Sequence, residues 1–249
     1  MKSLALLPIA LFFIATSFAQ KGIHESFIPT APIVIDGDPA EWNTEWMLDP
    51  DGKFLFNVGN DDENIYLRLK VSDDLTQQKI GLFGLYVKLD ANGKKKGKMG
   101  LKYPMGKDAS ELKKDQPPFR QDAAGRTYAK KQLLNDVEVL ELLGLAKENI
   151  VSSRLGLMNG IQILIVADEE GAYVYEAKIP FKAFKIDKTK TPILGITFET
   201  GKMSMAKSAP AAPNTGQAPG QGGFGQRSLA GSYNELMVPG YMWVGVRLK

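Results

Sequence analysis

The sequence predicts an all-β fold, an antiparallel β-sandwich of the immunoglobulin-like or jelly-roll type with one or two short helices. Apolar and polar residues alternate with a period of two in several segments, as they do in strands that bury one face. Helical patterns are sparse by comparison. Two alternating segments are joined by the short acidic turn 168–171, which ends in glycine. Such a turn is typical of a β-hairpin.

The alternation shows which side chains each strand directs away from the core. In 65–71 the apolar residues take every second position, and Tyr66 and Arg68 lie on the opposite side. The segment 83–89 repeats the pattern and leaves Tyr86 on its polar side. The other predicted strands are 54–58, 161–167, 172–179, 193–199 and 242–248.

Short helical turns are expected at two places. Asp38 can cap a helix that has Pro39 at its first position, and such a helix would carry Trp42 and Trp46 on one face. The segment 180–184 is expected to form a single turn after a strand.

Two polar segments interrupt the strand pattern. The first is a basic insertion at 91–131, with twelve Lys or Arg against four acidic residues. Its charge could attract a polyanion such as an acidic polysaccharide. The second, 204–232, is rich in Ala, Pro, Gly and Gln, a composition that buries too little apolar surface to fold by itself. We expect a long flexible loop there.

The N-terminus has the pattern of a cleavable signal peptide. Lys2 precedes an apolar run at 4–15, and small residues at Ser17 and Ala19 mark a cleavage site. The sequence therefore predicts a signal peptide at 1–19 and one mature domain at 20–249. The apolar run is short for a bilayer span, so no transmembrane segment is expected in the mature chain. Export would make the protein periplasmic, outer-envelope-associated or secreted.

Composition excludes several kinds of chemistry. The chain has no cysteine, so disulfides, thiolate metal sites and a cysteine nucleophile are excluded. Its one histidine, His24, cannot form a multi-histidine metal site. A net charge of +3 gives no general reason to expect a nucleic-acid partner. No pair of carboxylates stands out as catalytic. We therefore expect no enzyme, although glycoside hydrolysis by two carboxylates stays open.

Four segments in order resemble the family 9 carbohydrate-binding modules and the related DOMON-like sandwich domains. They are an Asp-Gly turn followed by a tryptophan in 35–42, an acidic turn and strand in 61–67, a strand that ends in Asp at 85–90, and a strand that runs into Ile-Pro-Phe in 175–181. The resemblance implies an antiparallel sandwich that binds sugars through aromatic side chains, often with a structural calcium ion.

Sugars present apolar C–H faces, so a binding site for them needs exposed aromatic rings beside hydrogen-bonding groups. In the last strand Trp243 and Arg247 lie opposite the apolar row. If their strands share a sheet, Trp243, Tyr66 and Tyr86 would form one surface, with Arg68 and Arg247 as hydrogen-bond donors. The long insertions could instead cover these rings. Trp46 is a further candidate for the site, whereas Trp42 is expected in the core.

The candidate calcium ligands are Asp61, Asp62 and Asp90, because calcium takes clustered carboxylate oxygens. No other cofactor is expected with certainty. The function expected from the whole sequence is non-catalytic binding of a polysaccharide or oligosaccharide by an exported protein. One alternative is a haem-binding DOMON-like domain with Met and His or Lys as axial ligands. Another is an envelope component that binds a protein.

Overall fold

In a computed structural model, the described residues are 22–107, 133–134, 138–145, 150–152, 159–203 and 234–249. The predicted signal peptide, the second part of the basic insertion and the predicted loop at 204–232 lie outside these ranges.

Two β-sheets form the domain. In chain order the strands are β1 (Ile23–Glu25), β2 (Met47–Leu48), β3 (Leu55–Asn60), β4 (Asn64–Val71), β5 (Leu85–Asp90), β6 (Met99–Lys102), β7 (Val139–Leu143), β8 (Ile150–Ser152), β9 (Gln162–Ala167), β10 (Tyr173–Pro180), β11 (Leu194–Thr200) and β12 (Tyr241–Arg247). One sheet has seven strands in the order β1-β12-β11-β5-β6-β7-β8. The other has five, in the order β2-β3-β4-β10-β9. Neighbouring strands are antiparallel, except that β1 and β12 are parallel.

The predicted all-β sandwich is therefore confirmed, and the alternation explains its core. Alternate residues of every long strand point between the sheets, where their apolar side chains are almost fully buried. Leu67 and Leu69 of β4 and Val87 of β5 belong to one continuous cluster. The intervening residues are directed to the two outer faces, so a ligand site built on the strands must lie on one of those faces.

The predicted helix at 38–46 is wrong. The chain makes only a turn there: the Trp42 amide donates to the Pro39 carbonyl at 3.1 Å, and the Ala40 amide donates to the Asp38 carboxylate at 2.9 Å. Trp42 is 1% exposed and packs with Ile33 on the outer face of β4. Trp42 is buried because the turn packs against the sheet, so no helix is needed to bury it.

An unpredicted α-helix, α1 (Asp74–Phe83), carries the chain from β4 to β5 and so from one sheet to the other. Its N-cap is Asp73, whose carboxylate accepts from the Thr76 amide at 2.8 Å. Several polar side chains of α1 are buried, so the helix has only a weak amphipathic pattern. Helix α1 also takes Phe83 out of the predicted strand. The predicted turn at 180–184 is confirmed as a 3-10 helix, Phe181–Phe184, and a second one spans Lys188–Lys190.

The side chain of Gln77 attaches α1 to the five-stranded sheet. Its amide nitrogen donates to the Val71 carbonyl at 2.7 Å and to the Gly171 carbonyl at 2.9 Å. These carbonyls lie at the end of β4 and in the turn between β9 and β10. Gln77 is buried, so water cannot easily replace either bond.

We expect Gln77→Met to lower the free energy of unfolding by about 1–3 kcal/mol, because two buried carbonyls lose their donor. Urea unfolding followed by circular dichroism measures the change. The neighbouring Gln78→Met is the matched control and should change stability by less than about 0.5 kcal/mol. Equal effects of the two variants would contradict this role of Gln77.

Candidate functional site

The outer face of the seven-stranded sheet carries aromatic and polar side chains in register. Tyr241 on β12 pairs with Glu199 on β11, Glu199 pairs with Tyr86 on β5, and Tyr86 pairs with Lys102 on β6. These four residues form a row across four strands. The structure therefore brings Tyr86 onto the same face as the last strand, as the sequence suggested.

A second row lies two residues along the strands. Trp243 pairs with Thr197, and Thr197 pairs with Lys88. Strands lie about 4.8 Å apart and residues rise by about 3.3 Å, so the backbones of Tyr86 and Trp243 are roughly 12 Å apart. Among the described residues, this face carries the rings of Tyr86, Tyr241 and Trp243, with polar side chains between them.

Lysines surround the ring of Tyr86. The Nζ atom of Lys88 lies 5.3 Å from the ring centroid, and that of Lys102 lies 5.0 Å from it. Lys88 also forms an ion pair with Glu199 at 2.5 Å. An open cleft of about 480 Å³ lies beside the ring. The other described residues that line it are Leu82, Phe83, Met105, Lys107, Thr200, Gly201 and Lys202.

The turn between β5 and β6 folds back onto Trp243, which is half-buried. The indole nitrogen of Trp243 donates to the Lys94 carbonyl at 3.2 Å, and the Nζ atom of Lys95 lies 5.0 Å from the ring centroid. This path crosses Gly195 on β11. A Cβ atom at residue 195 would lie 2.5 Å from the Lys94 carbonyl oxygen, so only glycine allows the turn to pass there.

Sequence reasoning missed several residues of this face, among them Tyr241, Glu199 and Lys102. Tyr241 is 41% exposed. It lies two residues before Trp243 on β12 and so points to the same side, and the alternation of the sequence could have identified it. Glu199 and Lys102 could not have been placed beside Tyr86 from sequence, because their positions depend on the register of three strands. The predicted Arg247 lies farther along β12, where it forms an ion pair with Glu25 at 2.7 Å.

The predicted grouping of Tyr66 with Tyr86 and Trp243 is wrong. Tyr66 belongs to β4 of the five-stranded sheet, so it lies on the opposite side of the sandwich. It is 4% exposed and packs against Ile33 and Trp42. The segment 27–46 covers this outer face. The ring of Tyr66 points outward from the sheet but is buried beneath that segment.

Arg68 and Trp46 lie on the same covered face as Tyr66. The Arg68 Nε atom is 3.1 Å from the Glu176 carboxylate, and both side chains are buried. The guanidinium carbon lies 4.7 Å from the Trp46 ring centroid and 5.6 Å from that of Trp42. The other Glu176 oxygen accepts from the Gly37 amide at 2.9 Å. These contacts hold the segment 27–46 on the sheet.

Burial and charge have opposing effects on this pair. Burial lowers the pKa of Arg68, while the Glu176 carboxylate opposes the change. Burial likewise raises the pKa of Glu176, against the Gly37 hydrogen bond and the Arg68 charge. An ion pair with this little exposure is costly to break, because either charge alone would be left buried. Arg68 is therefore a packing residue.

The three predicted calcium ligands do not converge on one point among the described residues. Asp61 accepts from the amides of Glu63 and Asn64 and from the Tyr66 hydroxyl, at 2.6–2.8 Å. Asp62 pairs with Lys188 at 2.8 Å. The third, Asp90, is on the other sheet and accepts from the Asn92 amide at 2.8 Å. Within the described residues, no three His, Asp or Glu side chains form a group that could hold a metal ion. Calcium binding stays a prediction.

The imidazole of His24 packs edge-to-face on Phe56, with ring centroids 5.3 Å apart, and burial lowers its pKa. Its role as a haem ligand stays a prediction.

Comparison with solved structures finds a family 9 carbohydrate binding module from Caldicellulosiruptor kristjanssonii in complex with glucose. The two chains are 12% identical, the match covers 91% of this chain and 96% of the module, and the TM-score is 0.39. That module belongs to the family which the sequence resembles. No protein-family model matches the chain, and no curated protein matches it. Across the ranges that the structure describes, no helix is long and apolar enough to cross a membrane.

Tyr66→Phe tests the packing role of Tyr66. Burial alone would raise the pKa of Asp61, but hydrogen bonds from Tyr66, Glu63 and Asn64 outweigh it, and the pKa is lowered. We expect the variant to lose about 1.5 kcal/mol of unfolding free energy at pH 7, as for a hydrogen bond to a charged group.

The pH dependence supplies a second readout. A lowered carboxyl pKa stabilises the fold above the ordinary value of about 3.9, and this contribution is lost as pH falls through the native pKa. The difference between wild type and Tyr66→Phe should therefore shrink on acidification below about pH 4. Tyr86→Phe is the control and should change stability by less than about 0.5 kcal/mol. A constant difference at every pH would contradict the Asp61 contact.

Proposed function

We propose that this chain is an exported, non-catalytic protein that binds an oligosaccharide or polysaccharide on the outer face of its seven-stranded sheet. The observation that carries the proposal is the arrangement of Tyr86, Tyr241 and Trp243 on that one face, with polar side chains between them. Export is inferred from the signal-peptide pattern of 1–19.

The face offers groups for both the apolar C–H face of a sugar and its hydroxyl groups. The rings offer flat apolar surfaces that match the C–H face of a sugar, and a tyrosine adds a hydroxyl at the ring edge. Between the rings, Glu199 accepts and Lys88 donates. Thr197 lies between Trp243 and Lys88 in the register but is buried. A ligand that lies across the strands can stack on a ring and reach these groups at once.

The spacing of the rings favours a chain of sugars over a single one. The backbones of Tyr86 and Trp243 are separated by roughly 12 Å, as estimated from strand geometry. One monosaccharide does not span that distance, whereas a short oligosaccharide does.

The chemistry of the cleft favours binding over cleavage. Glycosidases of the common type use two carboxylates on either side of the scissile bond. Among the described residues that line the cleft, Glu199 is the one carboxylate, and it is paired with Lys88. This arrangement supports a binding role.

Removal of the rings should weaken binding without unfolding the protein. We expect Tyr86→Ala and Trp243→Ala each to lower the affinity for a retained polysaccharide by about tenfold or more, the loss expected at an aromatic centre of an interface. Affinity electrophoresis and calorimetry, with a ligand chosen from a glycan array, measure the change.

Leu48→Ala, which removes an exposed apolar side chain from the other sheet, is the control and should bind as wild type does. Because Trp243 also packs against Gly22 and Gly245, its variant is checked by melting temperature, and Trp243→Phe provides a milder change. Wild-type affinity in both ring variants would overturn the proposed site. A blank glycan array with folded protein would overturn the function.

Ligand length provides an independent test. If two rings are used, an oligosaccharide that spans both should bind about tenfold or more tightly than its monosaccharide, and Trp243→Ala should reduce this advantage. Calorimetry with a series of increasing chain length makes the comparison. Equal affinity along the series would mean that one ring suffices.

A further inference from the structure

We infer that the ligand of this face is an anionic saccharide, one that carries carboxylate or sulfate groups. The inference rests on the proposed function and specifies the class of carbohydrate. It depends on which charged groups the fold places beside the rings.

Ammonium groups accompany two of the three rings. Lys88 and Lys102 lie 5.3 and 5.0 Å from the Tyr86 ring centroid, and Lys95 lies 5.0 Å from that of Trp243. They reach the face from three places in the fold, namely β5, β6 and the turn between them. Lysines of β5, β6 and the turn between them therefore lie on the same surface as the rings.

The cleft beside Tyr86 concentrates positive charge. The described residues that line it include the lysines Lys88, Lys102, Lys107 and Lys202 and one carboxylate, that of Glu199. Lys88, Lys102 and Lys202 alone outnumber that carboxylate, so the described lining carries an excess of positive charge. Like charges held close together repel, and an anion bound among them removes that repulsion.

The hydrogen-bonding chemistry points to the same ligand. An ammonium group has three donors and no acceptor. A neutral sugar hydroxyl both donates and accepts, whereas a carboxylate or sulfate only accepts. Glu199 already accepts from Lys88. Across the described part of the chain, no carboxylate lies within ion-pair distance of Lys102 or Lys202. The side chains of the cleft therefore offer an excess of donors.

The rings distinguish a saccharide from other polyanions. Lysines alone would attract any polyanion, but the half-buried ring of Tyr86 and the exposed ring of Tyr241 add surfaces for stacking between the charges. A charged saccharide uses both features together.

The test compares two charged polymers with neutral counterparts of the same backbone. Polygalacturonate is paired with its methyl-esterified form, and a sulfated polysaccharide with its desulfated form. We expect at least one charged member to bind about tenfold or more tightly than its counterpart at low salt, with the preference declining as salt rises. Lys102→Gln and Lys202→Gln should each weaken binding of that polymer severalfold.

Lys178→Gln is the matched control. Lys178 also lies over a tyrosine ring, 5.9 Å from the centroid of Tyr66, but on the other sheet. This variant should bind as wild type does. Polyglutamate serves as a polyanion without sugar rings and should bind more weakly than the charged saccharide.

Each outcome decides between the two proposals. Equal binding of charged and neutral forms, lost in Tyr86→Ala, would overturn the anionic class and leave carbohydrate binding in place. Polyglutamate binding as tight as that of the charged saccharide, unaffected by Tyr86→Ala, would overturn the saccharide ligand in favour of a general polyanion. No retention of any polysaccharide, on the array or in these pairs, would overturn both.

Discussion

The buried ion pair between Arg68 and Glu176 helps to hold the segment 27–46 against the outer face of the five-stranded sheet. That face is therefore covered. Two charges can leave water at tolerable cost only when they are paired and their remaining hydrogen-bonding groups are used. One Glu176 oxygen accepts from the Gly37 amide and the other faces Arg68, whose guanidinium lies against the rings of Trp42 and Trp46. The segment 27–46 is thereby fixed over the five-stranded sheet, and the seven-stranded sheet is left with the accessible aromatic face.

The arrangement of charged and aromatic groups on the accessible face depends on a close approach between the turn after β5 and the backbone of β11. The turn after β5 crosses β11 at Gly195 and reaches β12, where Lys94 accepts from the indole of Trp243. The same hairpin carries Lys88 and Lys102 past Tyr86. Aromatic stacking and positive charge are therefore combined by local geometry, and this combination supports an anionic saccharide as the ligand.

The sequence predicted the strands better than the connections between them. The segments 65–71, 161–167 and 172–179 form strands almost as expected, because alternation reports burial of one face directly. Two connections were misjudged. The turn at 38–46 lacks the expected helix because Trp42 is held by the sheet beneath it. Helix α1 was missed because it buries polar side chains such as Gln77, which satisfy backbone groups elsewhere.

The sequence by itself determined which side chains point outward, since in a strand that depends only on neighbouring residues. Tyr66, Tyr86 and Trp243 all lie opposite their apolar rows, as the alternation indicated. The tertiary structure alone decided that Tyr66 is covered while Tyr86 and Trp243 share an accessible face. Sheet membership depends on pairing between residues far apart in the chain, such as Lys88 and Thr197, and on which segment covers each face. Local alternation contains no information about either.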